Sequence, residues 1–127
     1  MNSTPSVLLV DDDIDLLEMV CLALETQQWK VTCINEANDV MPFLERTPPD
    51  LILMDVYLRN QDGREICKSI KGSALHHMIP IILYSAGNIS VNSIKESSAD
   101  LFISKPFDLN YLIEKIKFFL ASTVRPL

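Results

Sequence analysis

The sequence predicts an α/β domain: a doubly wound parallel sheet with helices packed on both faces. Two observations carry that expectation. Five short runs, residues 7–10, 29–34, 51–54, 79–84 and 101–103, consist mostly of Val, Ile, Leu, Met and Phe with few polar interruptions. A strand with one wet face alternates apolar and polar residues, whereas a nearly unbroken run marks a strand covered above and below. Amphipathic stretches separate the runs, and strand–helix alternation repeated five times leads to right-handed crossovers. A chain of 127 residues has the length of one ordinary domain and needs no disulfide or structural metal to fold.

The elements follow in order. After the first run, Leu16, Val20, Ala23 and Leu24 recur at helical spacing, with Asp15 and Glu18 near the positive end of the helix dipole. Pro42, Phe43 and Leu44 belong to a short second helix that stops before Pro48 and Pro49, because a residue preceding proline is pushed out of the helical region. The third helix spans residues 63–71, with Ile66 and Ile70 four apart and Gly72 just past its end. Residues 90–97 form a weak fourth helix whose only apolar marks are Val91 and Ile94. The fifth is the clearest: Asp108 is its N-cap, and Leu109, Leu112, Ile113, Ile116, Phe119 and Leu120 form one stripe. Residues 1–5 read as a flexible N-terminus, 6–122 as one domain, and 123–127 as a tail or the start of a linker.

Composition narrows the function. A net charge of −6 argues against a nucleic-acid-binding surface in this segment. No apolar run approaches the ~20 residues of a membrane span, and the N-terminus has no basic start or apolar signal core. Cys21, Cys33 and Cys67 lack metal-like spacing and read as buried thiols in a reducing compartment, so the cytoplasm is the expected location.

The polar residues that end the runs carry the chemistry. Asp11 and Asp12 follow the first run, Asp55 the third, Ser85 the fourth and Lys105 the fifth. In a doubly wound sheet the carboxyl ends of the strands converge on one crevice, so these distant residues become neighbours. Three carboxylates crowded together repel one another. One divalent cation and one ammonium cancel their charge, a composition that suits Mg²⁺ beside a reactive aspartate. Taken singly, Asp11 and Asp12 could cap a helix, Asp55 could be a turn acid and Lys105 a solvated charge; the combination is what points to a site. His76 and His77 lie in the loop before the fourth strand, away from those carboxyl ends, and read as loop residues. Only Gly63, Gly72 and Gly87 are present, so no glycine-rich loop can cradle a phosphate.

Four motifs in order resemble the response regulator receiver domain of two-component signalling. They are Val7-Leu8-Leu9-Val10-Asp11-Asp12-Asp13; Asp50-Leu51-Ile52-Leu53-Met54-Asp55 with Asp62-Gly63; Pro80-Ile81-Ile82-Leu83-Tyr84-Ser85-Ala86; and Lys105-Pro106-Phe107. The resemblance covers residues 6–122. It implies a flavodoxin-like three-layer sandwich with strand order 2-1-3-4-5. It implies that Asp55 takes a phosphoryl group from a phosphohistidine on a sensor histidine kinase or a histidine phosphotransfer protein. Asp12 would bind Mg²⁺ directly, Asp11 mainly through water, and the Tyr57 backbone carbonyl would join Asp55 as a further ligand. Lys105 would pair with Asp55 and then with a phosphoryl oxygen, Ser85 would donate its hydroxyl, and Phe102 would be the aromatic switch residue. A cis Lys105-Pro106 bond is also implied. Such a domain is a switch and not a turnover enzyme.

The sequence departs from the family in places. Arg59 and Asn60 stand where Pro and often Gly follow the acceptor, Tyr57 puts a large side chain beside it, Gly87 leaves none two residues after Ser85, and Ser98-Ala99 replaces Gly-Ala. On the last helix, Tyr111 and Phe118 fall opposite the apolar stripe. They are either scattered exposed aromatics or a contact surface for a dimer mate, a kinase or an output domain; the family often uses its fourth helix, fifth strand and fifth helix that way. The rival functions are a phosphorylation-independent interaction module on the same fold and a Mg²⁺-dependent phosphohydrolase, which would need a general acid and a substrate-covering insertion.

Overall fold

The computed structural model describes residues 4–122; the expected ends at 1–3 and 123–127 lie outside the described residues. Five strands, β1 (Ser6–Val10), β2 (Lys30–Ile34), β3 (Leu51–Asp55), β4 (Ile81–Ser85) and β5 (Leu101–Ser104), form one parallel sheet. Their order is β2-β1-β3-β4-β5, as the family resemblance implied. The helices are α1 (Ile14–Glu25), α2 (Val40–Arg46), α3 (Gly63–Lys71), α4 (Val91–Ser97) and α5 (Leu109–Ser122), with a 3₁₀ turn at Ala37–Asp39.

Alternation along each strand sorts its side chains between two cores. Val7, Leu9, Leu51, Leu53, Ile82, Tyr84 and Ile103 face α1 and α5, where Leu17, Val20, Leu24, Leu112 and Ile116 complete the packing. Leu8, Val10, Ile52, Met54, Ile81 and Leu83 face α2 and α3, against Val40, Leu44, Ile66, Cys67 and Ile70. Both faces are therefore dry, which is why β1, β3 and β4 read as unbroken apolar runs. Each fully buried aliphatic side chain contributes roughly 1.5–3 kcal/mol.

Local signals set the element ends. Asp13 caps α1 by accepting the N–H of Leu16 at 3.1 Å, and Asp62 caps α3 by accepting that of Arg64 at 2.8 Å. The Asp108 carboxylate accepts the Asn110 N–H at 2.8 Å, as a cap for α5 should. The fourth strand begins at Ile81 and not at Ile79, since Pro80 has no N–H for the ladder. Between β3 and α3 a short hairpin pairs Tyr57 with Asp62 and Leu58 with Gln61. Its two-residue turn holds Asn60 at φ 71°, in the left-handed region that asparagine tolerates.

Three readings need correction. The fully buried stripe of α1 runs through Leu17, Val20 and Leu24, with Leu16 half-buried against the same core, so Leu17 was missing from the expected stripe. Val91 is exposed, so α4 rests on Ile94 and the buried Ser97. Of the three thiols only Cys67 is buried; Cys21 is half-buried and Cys33 exposed. The difference matches the topology: Cys33 lies on β2, an edge strand with a neighbour on one side only. Burial pushes the Cys67 thiol up to about 11, which keeps it protonated.

Candidate functional site

The chain passes from β1 outward to β2 and returns across the sheet to β3, so strand order reverses between β1 and β3. A crevice opens at the carboxyl ends of those strands. The hydrogen-bonded ladder runs past the strand ends and carries the site with it. The Asp11 N–H donates to Ile34 O at 3.1 Å, Val56 N–H to Tyr84 O at 2.9 Å, and Lys105 N–H to Ser85 O at 2.8 Å. Gly63 N–H donates to Val56 O at 2.7 Å, drawing α3 against the end of β3. That approach requires glycine, because a Cβ on Gly63 would run into the Asp55 carbonyl.

The expected residues converge. Asp11, Asp12 and Asp55 each present an oxygen, and these atoms lie within 4.8 Å of one another. Asp11 is 0 % exposed and Asp55 7 %, so both carboxylates depend on protein partners. Lys105 Nζ lies 3.2 Å from Asp55 Oδ2 and 3.4 Å from Asp11 Oδ2. Asp55 Oδ1 accepts the Tyr57 N–H at 3.1 Å. Burial, then the Asp11 charge, push the Asp55 carboxyl above its ordinary value; Lys105 and the Tyr57 N–H oppose them. Ser85 is buried at the end of β4, where its Oγ accepts the Gly87 N–H at 3.2 Å. Phe102 is half-buried on β5. The Lys105–Pro106 peptide is cis.

The two N-terminal acids differ. Asp11 Oδ1 accepts the Asp13 N–H at 2.9 Å, and Oδ2 takes both Lys105 and the Tyr84 hydroxyl, so protein donors already occupy both oxygens. Asp12 is more open, and its Oδ2 accepts the Arg59 N–H at 2.8 Å from the hairpin turn. A cluster of hard carboxylate oxygens suits Mg²⁺, which favours oxygen ligands and keeps several waters.

Sequence reasoning missed two residues. Tyr84 donates to Asp11 Oδ2 at 2.7 Å. The available signal was a phenol inside a strand covered on both faces, since a buried hydroxyl must find a partner. Arg64 donates to Asp62 and to Ser93 Oγ, and its guanidinium stands 5.8 Å from the Tyr57 ring centroid. Tyr57 in turn covers the space left by Gly87, where a Cβ would come within 3.2 Å of the ring. Other expected residues stay apart from the site. His76 is buried but its Nδ1 has no partner, and exposed His77 sits beside the Ser73 carbonyl; both precede β4. Tyr111 and Phe118 are exposed on α5, Tyr111 beneath Lys115 at 5.3 Å and Phe118 edge-on to Phe119 at 5.2 Å.

The model of the response regulator receiver domain family matches residues 7–117. The chain belongs to this family. This receiver domain superposes with a TM-score of 0.91 on the signal receiver domain of a signal transduction histidine kinase from Syntrophus aciditrophicus, at 28 % identity over 98 % of this chain and 96 % of that one. A response regulator receiver domain protein from Methanospirillum hungatei JF-1 matches with a TM-score of 0.86, at 26 % identity over 94 % of this chain and 96 % of that one. The transcriptional regulatory protein BaeR of Escherichia coli O6:H1 is 30 % identical over 118 residues, 91 % of this chain. The receiver domain spans about half (48 %) of the length of that relative. Receiver domains are signalling modules of two-component systems; phosphoryl acceptance and use of Mg²⁺ are general properties of the family, as are exchanges with histidine kinases or phosphotransfer proteins. Among the described residues, no helix is long and apolar enough to cross a membrane.

Proposed function

We propose that Asp55 is the phosphoacceptor of this receiver domain and that its phosphorylation switches a partner surface. The observation that carries the reading is the position of Lys105 Nζ, shared between Asp55 Oδ2 at 3.2 Å and Asp11 Oδ2 at 3.4 Å. An ammonium so placed can follow negative charge from a carboxylate to an incoming phosphoryl group. An Asp55 oxygen attacks phosphorus, the P–O bond forms as the P–N bond of a phosphohistidine breaks, and the imidazole leaves with the electron pair and takes a proton. Phosphoryl transfer depends chiefly on positioning and on neutralising the equatorial oxygens. Asp12 and Asp55 would hold Mg²⁺ directly with the Tyr57 backbone carbonyl, and Asp11 through water; bound there, the ion supplies charge neutralisation. Lys105 pairs with one phosphoryl oxygen, and the Ser85 hydroxyl donates to another.

The donor is a sensor histidine kinase or a histidine phosphotransfer protein. The output is a conformational change read by a second copy or an output domain at α4, β5 and α5, where Phe102, Tyr111 and Phe118 lie. The domain does not turn over an external substrate, and it works in the cytoplasm, in keeping with its free cysteines. The test is intact-mass analysis after incubation with acetyl phosphate and Mg²⁺. The wild type gains one phosphoryl group and Asp55→Asn gains none; equal labelling of the two would falsify the assignment.

A further inference from the structure

Tyr84 stands one residue before Ser85 and is 1 % exposed. Its hydroxyl donates to Asp11 Oδ2 at 2.7 Å, with the Val10 carbonyl at 3.4 Å as a second, weaker neighbour. Its ring meets Phe107 edge-on, with centroids 5.6 Å apart, and stands 4.8 Å from Lys105 Nζ. The phenol and the ammonium thus share one carboxylate oxygen, while the ammonium also touches the ring and Asp55. Asp11 is shielded from bulk solvent, so each donor it accepts reduces its pull on the others.

We propose that Tyr84 is a positioning residue for phosphoryl transfer: its hydroxyl on Asp11 and its ring beside Lys105 keep the ammonium shared between Asp11 and Asp55. Without the hydroxyl, buried Asp11 lacks a donor, and Lys105 is the nearest cation that can make up the loss. The ammonium then moves toward Asp11 and away from Asp55, where the phosphoryl oxygens arrive. The inference rests on Asp55 as acceptor.

The test uses the full chain with Tyr84→Phe, which keeps the ring and removes only the donor. At saturating Mg²⁺ the rate of phosphorylation by acetyl phosphate falls about tenfold, the weight of one charge-assisted hydrogen bond. The Mg²⁺ dissociation constant, measured by calorimetry, stays within about twofold, because the site's ligands are intact. A crystal structure of the variant shows Lys105 Nζ closer to Asp11 than to Asp55. Incorporation of 3-fluorotyrosine at position 84 restores the donor and with it the rate. A Tyr84→Phe protein phosphorylated at the wild-type rate overturns the inference. So does a parallel loss of Mg²⁺ affinity, which would place Tyr84's effect on the metal, and so does a slow 3-fluorotyrosine protein, which would make the effect one of packing. A wild type that takes no phosphoryl group overturns the Asp55 reading itself, a result these variants cannot mimic.

Discussion

Arg64 on α3 donates from Nη1 to Ser93 Oγ on α4 at 3.1 Å. The same guanidinium grips Asp62, with Nη2–Oδ2 at 2.6 Å and Nε–Oδ1 at 3.0 Å, and holds that carboxyl below its usual range. Since α4 has seven residues and a thin apolar face, a single bond of this kind is a large share of what holds it down. Arg64→Ala is therefore expected to raise amide exchange across residues 91–97 about tenfold, the effect of losing roughly 1–1.5 kcal/mol. Unchanged exchange would show that the packing of Ile94 suffices.

Activation is expected to draw Ser85 toward the phosphoryl group, since its hydroxyl hydrogen can donate there. Space then opens beside β5, and the half-buried Phe102 turns inward. One charge-assisted hydrogen bond, roughly 1.5–3 kcal/mol, shifts a two-state equilibrium about ten- to a hundredfold. Beryllium fluoride should change exchange protection across residues 90–120 in the wild type and much less in Ser85→Ala. A wild type that shows no such change would uncouple this face from Asp55.

The metal-free domain is expected to be less stable at neutral pH than its Asp55→Asn variant. The Asp55 carboxyl is raised in the folded state, so protonation favours the fold. Its stabilising contribution is complete below the unfolded value of about 3.9 and is lost as pH rises through the higher folded value. The gap between variant and wild type should open over that window, in urea unfolding with a chelator, and narrow when Mg²⁺ is added. A gap independent of pH would mean that electrostatics is not its source.

Asp12→Ala should weaken Mg²⁺ binding more than Asp11→Ala. Both Asp11 oxygens already accept protein donors, whereas Asp12 gives up at most the Arg59 N–H to reach an ion. Equal affinity in both variants and the wild type, by calorimetry, would remove these acids from the metal site.

Ser98 closes α4 at φ 65°. A non-glycine residue in the left-handed region carries a steric cost of roughly 1–2 kcal/mol, and glycine's extra unfolded-state freedom returns roughly 0.5–1 kcal/mol of that. Ser98→Gly should therefore stabilise the domain by about 0.5–1 kcal/mol, seen as a higher urea midpoint with an unchanged slope. A lower midpoint would point to lost contacts of the Ser98 side chain.

The strands were legible to within two residues because three of them are dry on both faces, and their apolar runs, four to six residues long, are too short for a buried helix. Asp11, Asp12, Asp55, Ser85 and Lys105 were legible for a related reason: a polar residue that ends a dry run has been delivered to the rim of the sheet. Tyr84 escaped because it completes an apolar run and counts there as a hydrophobe, while its hydroxyl is what reaches Asp11. Arg64 escaped because its partners, Ser93 and Tyr57, lie 29 and seven residues away, and no periodicity links them. The exposure of Cys33 follows from β2 lying at an edge, and strand order is invisible to a pattern read along the chain.

The ladder bonds that continue past the strand ends imply a division of labour within the domain. Asp11, Val56 and Lys105 hang from the carbonyls of Ile34, Tyr84 and Ser85, so the sheet's main chain sets the spacing of the charged groups. The hairpin turn at Arg59 and Asn60 joins that framework at one point, where the Arg59 N–H reaches Asp12 Oδ2 at 2.8 Å. A turn of other sequence keeps the carboxylates in place as long as it still offers a backbone N–H to Asp12. Partner choice and chemistry are thereby separable traits: a graft of a relative's outer α4 and α5 residues onto this sheet should carry over recognition and leave the reaction behind it intact.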